Sequence, residues 1–217
     1  MVADAAQLEP RLLAAISGDR AMMAATGADD LYTELAPDLG GERDKAKRAL
    51  LSAMYGGLAG EAAALAALMR ERFPAAYDCV ETAARTGERG GVVRTWLGRT
   101  APAPPAEWWS ALNSERGTRA AARRGRFTRN FIVQGTAAEW ALVVLALLRR
   151  ALADEGLGEL VFYLHDEVMV HAPADCAEAV CAAVERAADE ATRTLFGDLP
   201  VRLPLRPKVV SSYAEAK

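Results

Sequence analysis

The stretch Leu160 to Pro173, LVFYLHDEVMVHAP, sets two β-favouring runs, Leu160–Leu164 and Val168–Val170, around three polar residues, His165, Asp166 and Glu167. Apolar run, polar break and apolar run read as strand, turn and strand. The chain also opens on a strand-like segment, Met1 to Ala6, and "LRPKVVSSY" near the C-terminus reads as a last strand. Between these ends the spacing is helical. Leu8, Leu12, Leu13 and Ile16 share one face before Gly18 stops the first helix. Helices are expected over Glu42–Tyr55, Leu58–Phe73 (ended by Pro74), Thr136–Ala153 and Ala174–Leu195, with "GGVVRTWLG" extended and "APAPP" a loop. Strands at both ends with helices between them give an α+β class, the helical middle being an insertion into a sheet domain.

At 217 residues, 52% hydrophobic and 25% charged, the chain has enough apolar mass for a real core. Its net charge of −3 argues against a protein that coats nucleic acid all over, although a local basic groove is compatible with that sum. The 22 arginines supply one. Arg116, Arg119, Arg123, Arg124, Arg126 and Arg129 crowd a short stretch, which fits either a patch for phosphates or general arginine abundance. Three cysteines, Cys79, Cys176 and Cys181, with no CxxC spacing suggest neither a disulfide framework nor a zinc site and fit a reducing cytoplasm. The most apolar long run, Trp140–Leu148, is shorter than the roughly 18 residues of a membrane span and reads as a buried helix, so no membrane partner is expected.

Three groups of residues could carry chemistry. Asp166 and Glu167 at the hairpin tip repel one another in isolation, and a divalent cation reverses the sign of that energy; the plainer reading is that Asp is an ordinary turn former. Asp4 closes the strand MVAD, and paired in space with Asp166 it would give hard oxygen ligands from two segments, the pattern of a two-metal site. Its plainer reading is a helix cap. Finally, Arg43, Lys47, Leu51 and Tyr55 recur every fourth residue and fan along one face of a helix about 18 Å long. Cations in its first turns oppose the helix dipole unless an anion such as a polyphosphate arrives. Otherwise they form a solvated face with Glu42 and Asp44 as partners.

Taken together these segments resemble the family A DNA polymerases, the DNA polymerase I-like group. "VADAAQLEPR" resembles the first palm motif, DYSQIELR; "RDKAKRALLSAMYG" resembles the fingers helix RxxxKxxxFxxxYG; "FYLHDEVMV" resembles the second palm motif, VHDE. "GVVRTWLGR" is similar to the V-x-T-x-x-G-R run, and "RFTRNFIVQGTAAEW" to R-x-x-x-N-x-x-x-Q-G-T-A-A-D. The five stand in the family's order across essentially the whole chain, and the pattern resembles in particular the actinobacterial bifunctional exonuclease/polymerase type.

The resemblance implies an antiparallel palm sheet with a large helical fingers insertion, palm at residues 1–16, fingers at 17–118 and palm again at 119–217. It implies template-directed transfer of a nucleotide from a dNTP to a primer 3′-hydroxyl. Asp4, Asp166 and the Ala5 carbonyl would hold two Mg²⁺ ions and Glu167 would assist. Arg43 and Lys47 would neutralise the triphosphate, with Leu51 on the same face, Tyr55 by the nascent base pair and Glu9 crowding the sugar 2′ position. Arg126, Asn130, Gln134 and His165 match residues that contact primer-template DNA near its growing end.

Ala5 and Ala6 replace the family's Tyr-Ser, Leu51 an aromatic, Tyr32 a His and Tyr213 a Trp; Leu51 bears on sugar discrimination and nucleotide affinity. The chain begins within the first palm motif, so a thumb and an exonuclease-like domain are expected to be absent from it, with an upstream segment as a possible partner. Three functions therefore remain open at the level of sequence: a polymerase catalytic region, a truncated remnant that binds nucleotide or DNA without efficient catalysis, and an interaction module whose carboxylates are turns and caps.

Overall fold

The computed structural model describes residues 1–39, 41–56 and 61–216, and it is α+β. The chain divides into two compact units. One contains Met1–Leu8 and Ala138–Lys217, the other Glu9–Ala137.

The first unit holds a four-stranded sheet of β1 (Val2–Ala5), β2 (Glu159–Leu164), β3 (Glu167–His171) and β4 (Leu205–Lys208), in the order β2-β3-β1-β4 and antiparallel throughout. The first strand of the sequence is thus internal to the sheet. Val2, Ala3 and Ala5 are buried there while Asp4 is exposed, the period-two alternation of a strand with one covered face. The last strand is shorter than "LRPKVVSSY", ending at Lys208. The helix Ala177–Phe196 repeats Val180, Ala183, Val184, Ala187, Ala191 and Leu195 on its buried face. The 38-residue helix Gly117–Asp154 contributes Trp140, whose indole N–H donates to Thr192 Oγ1 at 3.0 Å. That helix is long and apolar enough to cross a membrane by length and composition, because helical continuity adds to the Trp140–Leu148 run; half of its apolar window is buried in the protein.

The second unit is helical. Its elements are α1 (Leu8–Ser17, from Glu9 on), α2 (Arg20–Ala25), α3 (Leu31–Leu35), α4 (Arg43–Tyr55), α5 (Glu61–Arg72), α6 (Pro74–Glu88), α7 (Ala106–Leu112) and the first half of α8 (Gly117–Asp154); the helix Ala177–Phe196 is α9. Residues 58–60 of the helix expected from Leu58 lie outside the described residues. Pro74 does not merely end α5: it occupies the first turn of α6, where its missing N–H has no intrahelical partner to lose. "GGVVRTWLG" is not a continuous strand but a turn at 96–97 closed by a single bridge, Arg94 to Thr100.

Polar groups fasten these helices. Asp19 caps α2 at Met22 N (3.1 Å) and also accepts from Ala76 N of α6 (3.3 Å). Arg11, fully buried, donates to the carbonyls of Thr26, Ala28 and Asp29 and so ties down the loop after α2. Thr128 Oγ1 donates to Ala83 O at 2.7 Å, at a point where α6 carries Gly87; a Cβ there would lie 2.1 Å from that hydroxyl. Gly135 plays the same part for the 94–100 turn, since a Cβ on it would meet Thr95 Cγ2 at 2.3 Å.

Candidate functional site

The carboxylates gather at one end of the sheet. In the β1–β3 register Asp4 stands opposite Glu167, and in the β1–β4 register opposite Arg206, so the three share a face. Leu164 pairs with Glu167, leaving His165 and Asp166 as a two-residue turn with His165 at φ +59°. Turns that fit the strand twist ask for a left-handed residue, and His adopts it more readily than a branched residue does. Ala5 N donates to Asp166 O at 2.9 Å, which fastens the turn to the end of β1 and brings Asp166 beside the Asp4–Ala5 peptide.

Asp166 in the turn and Glu167 at the start of β3 each have a neighbour. His165 Nδ1 lies 3.4 Å from Asp166 Oδ1, and Tyr213 donates from its hydroxyl to Glu167 Oε1 at 2.5 Å. Tyr163 donates to the His165 carbonyl at 2.6 Å, and burial together with the Asp166 charge raises its pKa. Among the described residues no group of three or more His, Cys, Asp or Glu side chains is drawn together as a metal cage. What the sheet end offers is a pair of hard oxygen donors, Asp4 and the half-exposed Asp166, on adjoining segments with solvent access. That donor set suits Mg²⁺, which keeps several waters and takes one or two carboxylates.

The second unit holds the other expected residues. Arg43 and Lys47 are exposed on α4, Leu51 and Tyr55 are half-buried two and three turns on, and Gly56 ends the helix at φ +80°. A Cβ on Gly56 would crowd Arg126 Cγ at 3.3 Å, so the left-handed glycine also admits the stem of Arg126 from α8. Arg43 is already engaged: its guanidinium meets Asp30 at 2.8 Å and lies 5.6 Å from the centre of the Tyr32 ring. Asp30 is a neighbour that sequence reasoning missed, since its position before α3 signals only a cap.

Glu9, Tyr55 and Gln134 come together. Tyr55 donates to Glu9 Oε2, Gln134 hydrogen-bonds Tyr55 as well, and burial followed by the Glu9 hydrogen bond pushes the Tyr55 pKa far above its ordinary value. Glu9 is buried, Gln134 exposed. Asn130, one turn earlier on α8, has its Oδ1 buried without a hydrogen-bond partner. Arg129 from the basic run points inward, to the Ala53 carbonyl at the end of α4 and to Glu81 of α6, and is structural.

Residues 1–215 match the profile of DNA polymerase family A. The chain is 31% identical over 232 residues to the thermostable DNA polymerase I of Thermus thermophilus, covering 96% of this chain and 26% of that protein. It is 28% identical over 229 residues to DNA polymerase I of Chloroflexus aurantiacus, covering 95% and 24%. It therefore spans about a quarter of the length of these curated relatives. The POL domain of Pol1 from M. smegmatis, solved in complex with DNA primer-template and dNTP, superimposes with a TM-score of 0.75 at 24% identity, over 94% of this chain and 38% of that one.

Proposed function

Because this chain belongs to DNA polymerase family A, we propose that it is the palm and fingers region of a DNA-directed DNA polymerase, with palm at 1–16 and 119–217 and fingers at 17–118, acting in the cytoplasm. The observation that carries this reading is the hydrogen bond from Ala5 N to Asp166 O, which with the Asp4–Glu167 register puts two carboxylates from distant sequence at one sheet end.

In the reaction the primer 3′-hydroxyl loses its proton to water and its oxygen forms a bond to the α-phosphorus of the dNTP, while the bond to the bridging oxygen breaks and pyrophosphate leaves. Asp4, Asp166 and the Ala5 carbonyl are the groups that would hold Mg²⁺, two ions in all. When bound, such ions lower the pKa of the attacking hydroxyl and neutralise the phosphates. The chain's own residues do the positioning. Lys47 and Arg43 bind the triphosphate by charge-assisted hydrogen bonds. Tyr55, with its proton held on by burial and Glu9, offers a neutral ring edge to the nascent pair, and Glu9 fixed by Tyr55 closes the space a 2′-hydroxyl would need. Asn130, Gln134, Arg126 and His165 contact the primer-template. Amide groups suit that post because minor-groove acceptors look alike across base pairs.

Primer extension with Mg²⁺ tests the assignment. Asp4→Ala and Asp166→Ala are each expected to lower nucleotidyl transfer by several orders of magnitude with the fold intact by circular dichroism; near-normal rates in either variant would sink it. A second reading is binding of nucleotide or DNA without efficient catalysis. Under it the wild-type chain binds dNTP and primer-template separately but gives no extension.

A further inference from the structure

We propose that the cavity between α7 and the start of α8 takes one unstacked nucleobase of single-stranded DNA, with the adjoining phosphate on Arg123. The cavity is about 490 Å³, the size of a small-ligand pocket. Trp108 and Ala111 of α7 and Ala120 and Phe127 of α8 form apolar walls, and Arg123, Arg124 and Glu107 are its charged lining residues. Two aromatic rings suit a planar body, and stacking on them tolerates any base. The indole N–H of Trp108 is committed to the Ala120 carbonyl at 3.0 Å, which holds that ring in place as a wall and leaves polar recognition to the arginines.

Arg124 is the feature that asks for a ligand. It is 8% exposed, donates from Nη2 to the Pro102 carbonyl and lies 5.0 Å from the centre of the Phe127 ring, yet its Nε is buried with no hydrogen-bond partner. A buried guanidinium N–H left without an acceptor is costly. A base carbonyl or a phosphate oxygen entering the cavity would supply one.

A strand is favoured over a free nucleotide by what surrounds the cavity. Arg119, Arg123 and Arg126 recur at helical spacing and are all exposed, so they form a cationic stripe along α8 that passes Arg123 and extends beyond it both ways. A backbone of successive phosphates uses such a stripe; a monophosphate touches one arginine of it. Glu107, exposed among the lining residues, repels a second phosphate and limits the cavity to one nucleotide. The choice of DNA over RNA rests on the polymerase reading; the cavity argument does not.

The experiment is fluorescence anisotropy of a labelled short oligothymidylate, and of the same strand with abasic sites, without metal or dNTP, so that failure of extension and failure of this site are read separately. Phe127→Ala, at a 39% exposed position, is expected to weaken the natural strand about tenfold and to leave the abasic strand unchanged. Phe127→Leu, which keeps apolar volume, carries the same expectation if the alanine variant folds poorly. Arg123→Ala is expected to weaken both strands. Equal losses on the two strands, or no loss for either Phe127 variant, would overturn the proposal. Displacement of the strand by thymidine 5′-monophosphate at comparable concentration would overturn the strand assignment in favour of a free-nucleotide pocket.

Discussion

A triphosphate arriving at Arg43 has to displace a carboxylate, because Asp30 holds that guanidinium beforehand and raises its pKa through the hydrogen bond between them. Asp30 also caps α3 through Oδ1, accepting from Thr33 N at 2.9 Å, so Asp30→Asn keeps the cap while loosening the ion pair. Exposed pairs are weak, and the expected result is a gain in dNTP affinity of about twofold, read by nucleotide titration at fixed primer-template. A loss instead would mean that Asp30 positions Arg43 rather than occupying it. Tyr55 gives a pH signature. Burial and Glu9 raise its folded pKa above the ordinary tyrosine value of about 10. The protonated phenol therefore stabilises the fold in full below that ordinary value, and the stabilisation is lost as pH climbs from there through the raised one. Urea midpoints of wild type and Tyr55→Phe should differ by a constant amount up to about pH 10 and converge above it. A gap that widens with alkali would contradict the Tyr55–Glu9 bond.

Elements in this chain meet through small residues as much as through apolar faces, and this decides what sequence could reveal. Gly135 admits Thr95, and Trp96 N donates to Thr136 Oγ1 at 3.1 Å, so the 94–100 turn is seated on α8 by a glycine and a threonine. Gly135→Ala should cost about 1 to 3 kcal/mol in urea unfolding, and Thr95→Ser, which removes the clashing methyl and keeps the hydroxyl that accepts from Arg99 N, should recover most of it. Additive losses in the double variant would refute that contact. The same chemistry hid the first half of α8: its buried positions include Arg124, Gly125, Thr128 and Arg129, so no apolar period announces a helix there, whereas Val133, Trp140, Val144 and Leu148 made the second half legible. α1 was readable from its apolar spacing and from Gly18, which the structure shows in the left-handed region, and α4 from the four-residue spacing of Arg43, Lys47, Leu51 and Tyr55. The helices α6 and α7 were not, because Pro74 looked only like a stop and α7 has no buried residue. Asp4 and Asp166 were each visible in the sequence, but their meeting depends on a strand register, which no local pattern encodes.

The two edges of the sheet are treated differently over the whole molecule. β4 carries Arg206, Pro207 and Lys208, which resist pairing with another strand. β2 carries a charge at Glu159 and a bulge at Val161, but past them the edge is apolar: Val161, Phe162, Tyr163 and Leu164 are 51%, 40%, 37% and 60% exposed. The isolated chain should therefore associate as its concentration rises, and Val161→Lys, at a bulged position, should shift it toward monomer in sedimentation velocity. A wild-type chain that sediments as a monomer at every concentration would remove the argument. The central position of β1 has a further consequence, in time. Its amino end bonds Val170, 169 residues away, and its other neighbour, β4, lies further still. At a ribosomal rate of about 5 to 20 residues per second, β1 leaves the exit tunnel roughly ten to thirty seconds before β3. Throughout that interval the helices of the insertion can form while the strand bearing Asp4 still lacks β3 and β4, its neighbours in the folded sheet. Chains halted before residue 160 would hold folded helices without this sheet, and a chaperone acting on this protein during synthesis would find a target in the unpaired apolar segment Val2–Ala5.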